Sequence, residues 1–123
     1  EDVLAINGDG TQIRFTPSRH KAFNLTLSRL VGDQVRAVAI EGAAAAPGEE
    51  VDITLSPDLS LVRVGNRGAE RAVNVKAFTI DAAARTPLNK SIPGAKLPQH
   101  HDLLVAVPDW SKLDVHVEAL SFE

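Results

Sequence analysis

The 123-residue chain has no cysteine, no methionine and no tyrosine, and its only aromatic residues are Phe15, Phe23, Phe78, Trp110 and Phe122. Without cysteine there can be no disulfide, no thiolate nucleophile, no Cys-ligated zinc and no blue-copper site. The compartment stays open on this ground, because a domain of this size can be stable without staples. A chain that starts at Glu1 and lacks methionine throughout is expected to be a processed or excised piece of a longer polypeptide. No run of Lys and Arg is present, and 13 basic residues are interspersed among 16 acidic ones for a net charge of −3. Phosphate-backbone binding needs clustered positive charge, so nucleic acid is not an expected partner. No apolar run approaches a membrane span, so no membrane insertion is expected, and no signal peptide is recognisable.

Catalytic signatures are missing as well. No serine is framed as Gly-x-Ser-x-Gly, and there is no Walker or dinucleotide fingerprint. Gly65-Asn66-Arg67-Gly68 reads as a turn, since phosphate cradling needs a following helix. The chain is therefore expected not to be an enzyme and to need no cofactor. Helical periodicity is nearly absent too. Glu41-Gly42-Ala43-Ala44-Ala45-Ala46 is bounded by Pro47-Gly48 and is too short for an independent helix, so it reads as a loop. Asp81 to Arg85 could hold one helical turn.

What the chain does carry is strand grammar. Apolar residues make up 44% and charged residues 24%, near globular averages, so a core can form, and with so few rings it will be aliphatic. Val3–Ile6 and Thr11–Phe15 flank Asn7-Gly8-Asp9-Gly10, a strong hairpin signal. Ala22–Leu30 alternates with Phe23, Leu25 and Leu27 on one face, and Gln34–Ile40 returns after Val31-Gly32-Asp33. Val51, Ile53 and Leu55 alternate with Asp52 and Thr54. Leu61–Val64 and Arg71–Ile80 follow. Residues 81–98, with three prolines, read as a long loop with room for one brief strand. His101–Val107 is apolar on both faces and predicts a central, covered strand. Lys112–Phe122 closes the chain with Val115, Val117 and Ala119 inward. Eight to ten short strands with regular turn signals predict one all-β domain over residues 1–123, an antiparallel β-sandwich, with a closed barrel as the alternative. The strand grammar is that of Ig-like and fibronectin-like architecture, although the Cys…Trp…Cys hallmark of the immunoglobulin fold is missing.

Two stretches share one pattern. Pro47–Ser60 lines up with Pro98–Ser111 at an offset of 51, pairing Pro57-Asp58-Leu59-Ser60 with Pro108-Asp109-Trp110-Ser111. Phe23–Leu27 lines up with Val73–Ala77 at an offset of 50. The chain reads either as two similar units of about 50 residues in tandem or as turn chemistry used twice.

Candidate site residues are sparse. Trp110 beside Asp109 could stack on a sugar and accept its hydroxyl hydrogens, although Leu59 at the matching position argues for an apolar plug. His100, His101 and Asp102 abut, and His20 and His116 lie elsewhere. Neighbours on a strand point to opposite faces, so these residues are not expected to form a metal site. Glu49, Glu50, Asp52, Asp58 and Asp109 are carboxylates that could serve calcium or acid catalysis, but they read more simply as a solvated face. Asn24 and Asn89 fit the glycosylation sequon. The function expected from all this is a non-catalytic accessory module of a larger exported or surface protein. It would be extracellular, periplasmic or on the cell surface, and would serve in spacing, in packing against neighbouring domains of the same polypeptide, or in binding a protein partner. The alternative is a carbohydrate-binding module using Trp110 and Asp109, with help from His100 or His101.

Overall fold

The structure, a computed structural model, describes residues 3–17, 21–45, 49–80, 85–87, 96–112 and 114–121. These form two antiparallel sheets, and the protein is a β-sandwich. One sheet has six strands in the order β1 (Val3–Ile6), β2 (Gln12–Thr16), β5 (Val51–Leu55), β6 (Leu61–Asn66), β10 (His101–Asp109), β11 (Asp114–Ser121). The other runs β3 (Lys21–Val31), β4 (Gln34–Ala45), β7 (Arg71–Ile80), β8 (Arg85–Pro87), and β9 (Lys96–Leu97) pairs with the start of β7.

The alternation predicted from sequence is what brings the sheets together. Ile13 and Phe15, then Val51, Ile53 and Leu55, then Val62 and Val64, then Leu103, Val105 and Val107 line the inner face of the larger sheet, all buried. Phe23, Val38, Ile40, Val73, Val75 and Ala77 answer from the smaller sheet. The tilted ring pair Phe15–Phe23, with centroids 5.3 Å apart, crosses between them. The larger sheet overhangs the smaller. Toward the end of β11 the inward positions pass from buried Val115 to half-buried Val117 to exposed Ala119, and on β1 Leu4 and Ile6 stand exposed.

Three segments differ from the sequence reading. Glu41–Ala45 is not a loop but the end of β4. Alanine and glycine are poor strand formers, yet Glu41 and Gly42 are laddered on both sides, to Asn24 and Phe23 on β3 and to Asn74 and Val73 on β7. Gly42 is required there, because a Cβ would overlap the Phe23 ring. Residues 81–98, read as a long loop with room for one brief strand, contain two short strands, β8 and β9, whereas residues 81–84 and 88–95 lie outside the described residues. Finally, β10 is interior to its sheet but covered on one face only, since Leu104 and Ala106 on the other face are half-buried.

The internal similarity takes a more specific form in space. β3 and β7 both flank β4, and their inward residues correspond at an offset of 50. At the same offset Asp52, Ile53 and Leu55 match Asp102, Leu103 and Val105, outward with outward and inward with inward. The turns correspond at 51. The additional residue falls where the β10–β11 ladder shifts register, between Ala106 and Asp109. A one-residue slip along a strand would reverse every side chain, and an irregularity that absorbs one residue is how a sheet avoids that.

Candidate functional site

The sequence-predicted residues separate into two groups. Trp110 and Asp109 lie at one end of β10, and His100 and His101 at the other. From His101 to Asp109 the strand takes eight residue steps, about 27 Å at 3.4 Å per residue, so a single ligand site cannot use both.

At the Trp110 end, three turns of the larger sheet carry the same device. Asp9 Oδ1 accepts from Thr11 N and Oγ1 (3.1 and 2.6 Å), Asp58 Oδ1 from Ser60 N and Oγ (3.1 and 2.7 Å), and Asp109 Oδ1 from Ser111 N and Oγ (3.1 and 2.6 Å). These bonds favour the ionised carboxyl and hold all three aspartates below the usual carboxylate range. Leu59 and Trp110 occupy the same place in their turns, and both are buried, Trp110 with 4% exposed. Leu59 holds a left-handed φ of 59°, unfavourable for a residue with a Cβ, while its side chain fills the core. Arg36 stacks 5.2 Å from the Trp110 ring centroid and donates to Asp58 O at 2.7 Å. Arg29, directly opposite Arg36 in the ladder, donates to Pro57 O (3.0 Å), Asp9 O (3.2 Å) and Gly10 O (2.8 Å). Facing like charges repel. Here each guanidinium is spent on carbonyls of the other sheet's turns, so the pair clamps the sheets together. A depression of about 420 Å³ lies over this end, lined by Arg36, Asp58, Asp109 and Trp110 among others. The indole is taken up in packing, and its Nε1 has no hydrogen-bond partner.

At the opposite end, His100 stands in a turn at φ 62° with its N–H donating to Asn66 O at 2.8 Å. His101 Nδ1 lies 3.0 Å from Gln99 O. Asp102 faces outward, away from His101's inward position. His116 is exposed, and His20 and Asn89 lie outside the described residues. Asn24 is exposed on the outer face of β3, with Nδ2 3.5 Å from Glu41 Oε2. Among the described residues no three His, Asp or Glu side chains are grouped to hold a metal ion. Asn66 is the buried tie of this end. Its Nδ2 donates to Leu97 O (2.7 Å) and Ala69 O (3.0 Å), and its Oδ1 accepts from Gly68 N (3.1 Å). Arg71, 4% exposed, points inward without a hydrogen-bond partner for any of its three side-chain nitrogens, and burial pushes its pKa down.

A further depression, about 720 Å³, lies on neither end but on the outer face of the six-stranded sheet. The register places Arg14, Asp52, Gly65 and Asp102 in one row across β2, β5, β6 and β10. Arg63 stands one row away, opposite Thr54. Gly65 leaves the floor low between the two aspartates. Arg67 Nε bonds Asp52 Oδ2 and lies 3.9 Å from Glu50, and Arg63 Nε lies 3.8 Å from Asp102. Asp52 Oδ1 is shielded from solvent and lacks a donor. Glu50 is pushed above the usual carboxylate range, chiefly because its neutral form can hydrogen-bond Asp52. Asp102 is pushed up by burial, against the pull of Arg63. Asp52 was legible as a carboxylate on a solvated face, but its convergence with Asp102 was not. The signal lay in the offset of 50, which pairs Asp52 with Asp102.

Compared with protein-family models, with curated proteins and with solved structures, the chain matches none.

Proposed function

We infer that this chain is a non-catalytic sandwich module, of the general Ig-like kind in architecture, belonging to a larger exported or surface-held polypeptide. It serves in spacing and docking, and its contact surface is the outer face of the six-stranded sheet, against a neighbouring domain or a protein partner. One observation carries this reading: aliphatic side chains fill both inner faces, while the depression on the outer face of the larger sheet is lined by Arg63–Asp102 and Arg67–Asp52 pairs engaged with one another. A reacting centre needs a nucleophile beside a base, or paired acids with room for a substrate between them. The imidazoles of His100 and His101 lie at the end of β10, apart from this depression.

The test compares hydrogen exchange in the isolated module and in its parent polypeptide. Slower exchange in the parent over residues 12–16, 51–55 and 61–66 is the expected result. Turnover of any ester, glycoside or phosphoester by the module, abolished in Asp52→Asn or Asp102→Asn variants that still fold, would overturn the reading.

A further inference from the structure

We propose that the depression over Gly65 is a binding site for a neutral, polyhydroxylated ligand, an oligosaccharide segment. This rests on the reading that the outer face is the contact surface, and it names what that face holds. Arg14, Arg63 and Arg67 line the depression with Asp52 and Asp102, and Glu50 stands beside Arg67 at its margin, so the formal charge of the whole group sums to zero. An anionic ligand is drawn by the guanidinium groups and repelled by the carboxylates, and a cationic ligand meets the reverse. A hydroxyl donates and accepts at once, so it can bridge a guanidinium N–H and a carboxylate oxygen without a charge penalty.

The row supplies both partners at sugar-sized spacing. Asp52 and Asp102 are two strands apart, about 10 Å between backbones at 4.8 Å per strand, with a side-chain-free residue between them. Asp52 Oδ2 and Asp102 Oδ2, already paired with Arg67 and Arg63, are the acceptors a ligand hydroxyl would share. Gln12 and Thr54, exposed on the same lining, extend it with an amide and a hydroxyl. Trp110 has no part in this site, because it lies buried in the β10–β11 turn at the sandwich end. Hydrogen bonds rather than ring stacking would carry recognition, and affinity would be correspondingly modest.

The experiment is an amide-resolved NMR titration of the 15N-labelled protein with neutral gluco-, xylo-, manno- and galacto-oligosaccharides. Oligogalacturonate and oligolysine serve as the anionic and cationic arms. The expected result is that one neutral series shifts the Asp52, Arg63, Gly65 and Asp102 amides and leaves the Trp110 indole signal in place. Asp102→Asn and Arg14→Ala should each weaken binding about tenfold, the loss of one charge-assisted hydrogen bond. Gln12→Ala, at an exposed position where folding is not at risk, should weaken it by a smaller factor. The proposal is overturned if no neutral series moves these amides at millimolar concentration, if a charged arm moves them instead, or if all three variants bind as the parent does. A protein partner or neighbouring domain that protects this face while no sugar binds would sink this proposal and leave the docking reading standing.

Discussion

Replacing Asn66 tests the account of how the sandwich is closed at the Arg71 end. Asn66 ends β6 in the larger sheet, and Leu97 lies on β9, which pairs with β7 of the smaller one. The side-chain amide therefore links the sheets through bonds to Leu97 O, Ala69 O and Gly68 N, with none of the residue exposed. Each bond contributes about 1 kcal/mol net, and stranding its buried partner costs at least that much, so Asn66→Ala should cost about 3 kcal/mol. That is a large share of the roughly 5–15 kcal/mol that holds a domain together. In a chain of this size it corresponds to a fall in Tm of about 12 °C. Asn66→Asp should be worse at pH 7, because a carboxylate sets oxygen against the carbonyls of Leu97 and Ala69. Its folded-state pKa would be raised, so its stability is retained below the unfolded value and lost as pH rises through the folded one. The gap to the parent should therefore narrow on acidification. Urea unfolding followed by emission of Trp110, the single tryptophan, reads both effects. If Asn66→Ala stays within about 0.5 kcal/mol of the parent, below the net contribution expected of even one such bond, the argument is refuted.

Arg71→Met should stabilise the protein by about 1–4 kcal/mol, since a buried guanidinium with no hydrogen-bond partner, whose desolvation outweighs the attraction of Glu49, gives way to an apolar chain of similar length. A lower urea midpoint for this variant would show that Arg71 is engaged. Gly42→Ala should cost about 1–3 kcal/mol through overlap with the Phe23 ring. Most of that penalty should vanish in a Phe23→Leu background, and additive costs in the double-mutant cycle would contradict the contact. Acid unfolding should reflect Asp9, Asp58 and Asp109. Their pKa values are lowered, so the stability they contribute is present above the ordinary carboxyl value and lost as pH falls through the folded one. Glu50 behaves in the opposite sense. Its pKa is raised, so its contribution is complete below the unfolded value and lost as pH rises. Glu50→Gln should consequently be more stable than the parent at pH 7, with the difference shrinking toward pH 4. A gap that does not change with pH would contradict the Glu50–Asp52 contact.

Most of the strand pattern was legible because alternation is a local property. Val51, Ile53 and Leu55 face inward in any register that buries them. The misreading of Glu41–Ala45 has a clear cause, since its residues favour no strand and were ordered by ladders on both sides. The inward arginines carried a signal that went unread. Arg29 continues the parity of Phe23, Leu25 and Leu27, Arg36 that of Val38 and Ile40, and Arg71 that of Val73 and Val75. A charge at a core position marks a side chain with a particular task, or with none satisfied. The task of Arg29 and Arg36 depends on where a turn further along the chain passes overhead, Pro57 lying 28 residues after Arg29 and Asp58 lying 22 residues after Arg36, which no local pattern contains.

By itself the sequence determined short antiparallel strands around an aliphatic core, while the choice of two stacked sheets over a closed barrel belonged to the tertiary structure. The strands and the core follow from side-chain alternation and from hydrogen bonds within a few residues. Which carboxylates share a row with which guanidinium groups was settled by strand order alone. Asp52 and Asp102 are fifty residues apart along the chain, and they face each other across Gly65 only because β6 pairs with β5 on one side and β10 on the other.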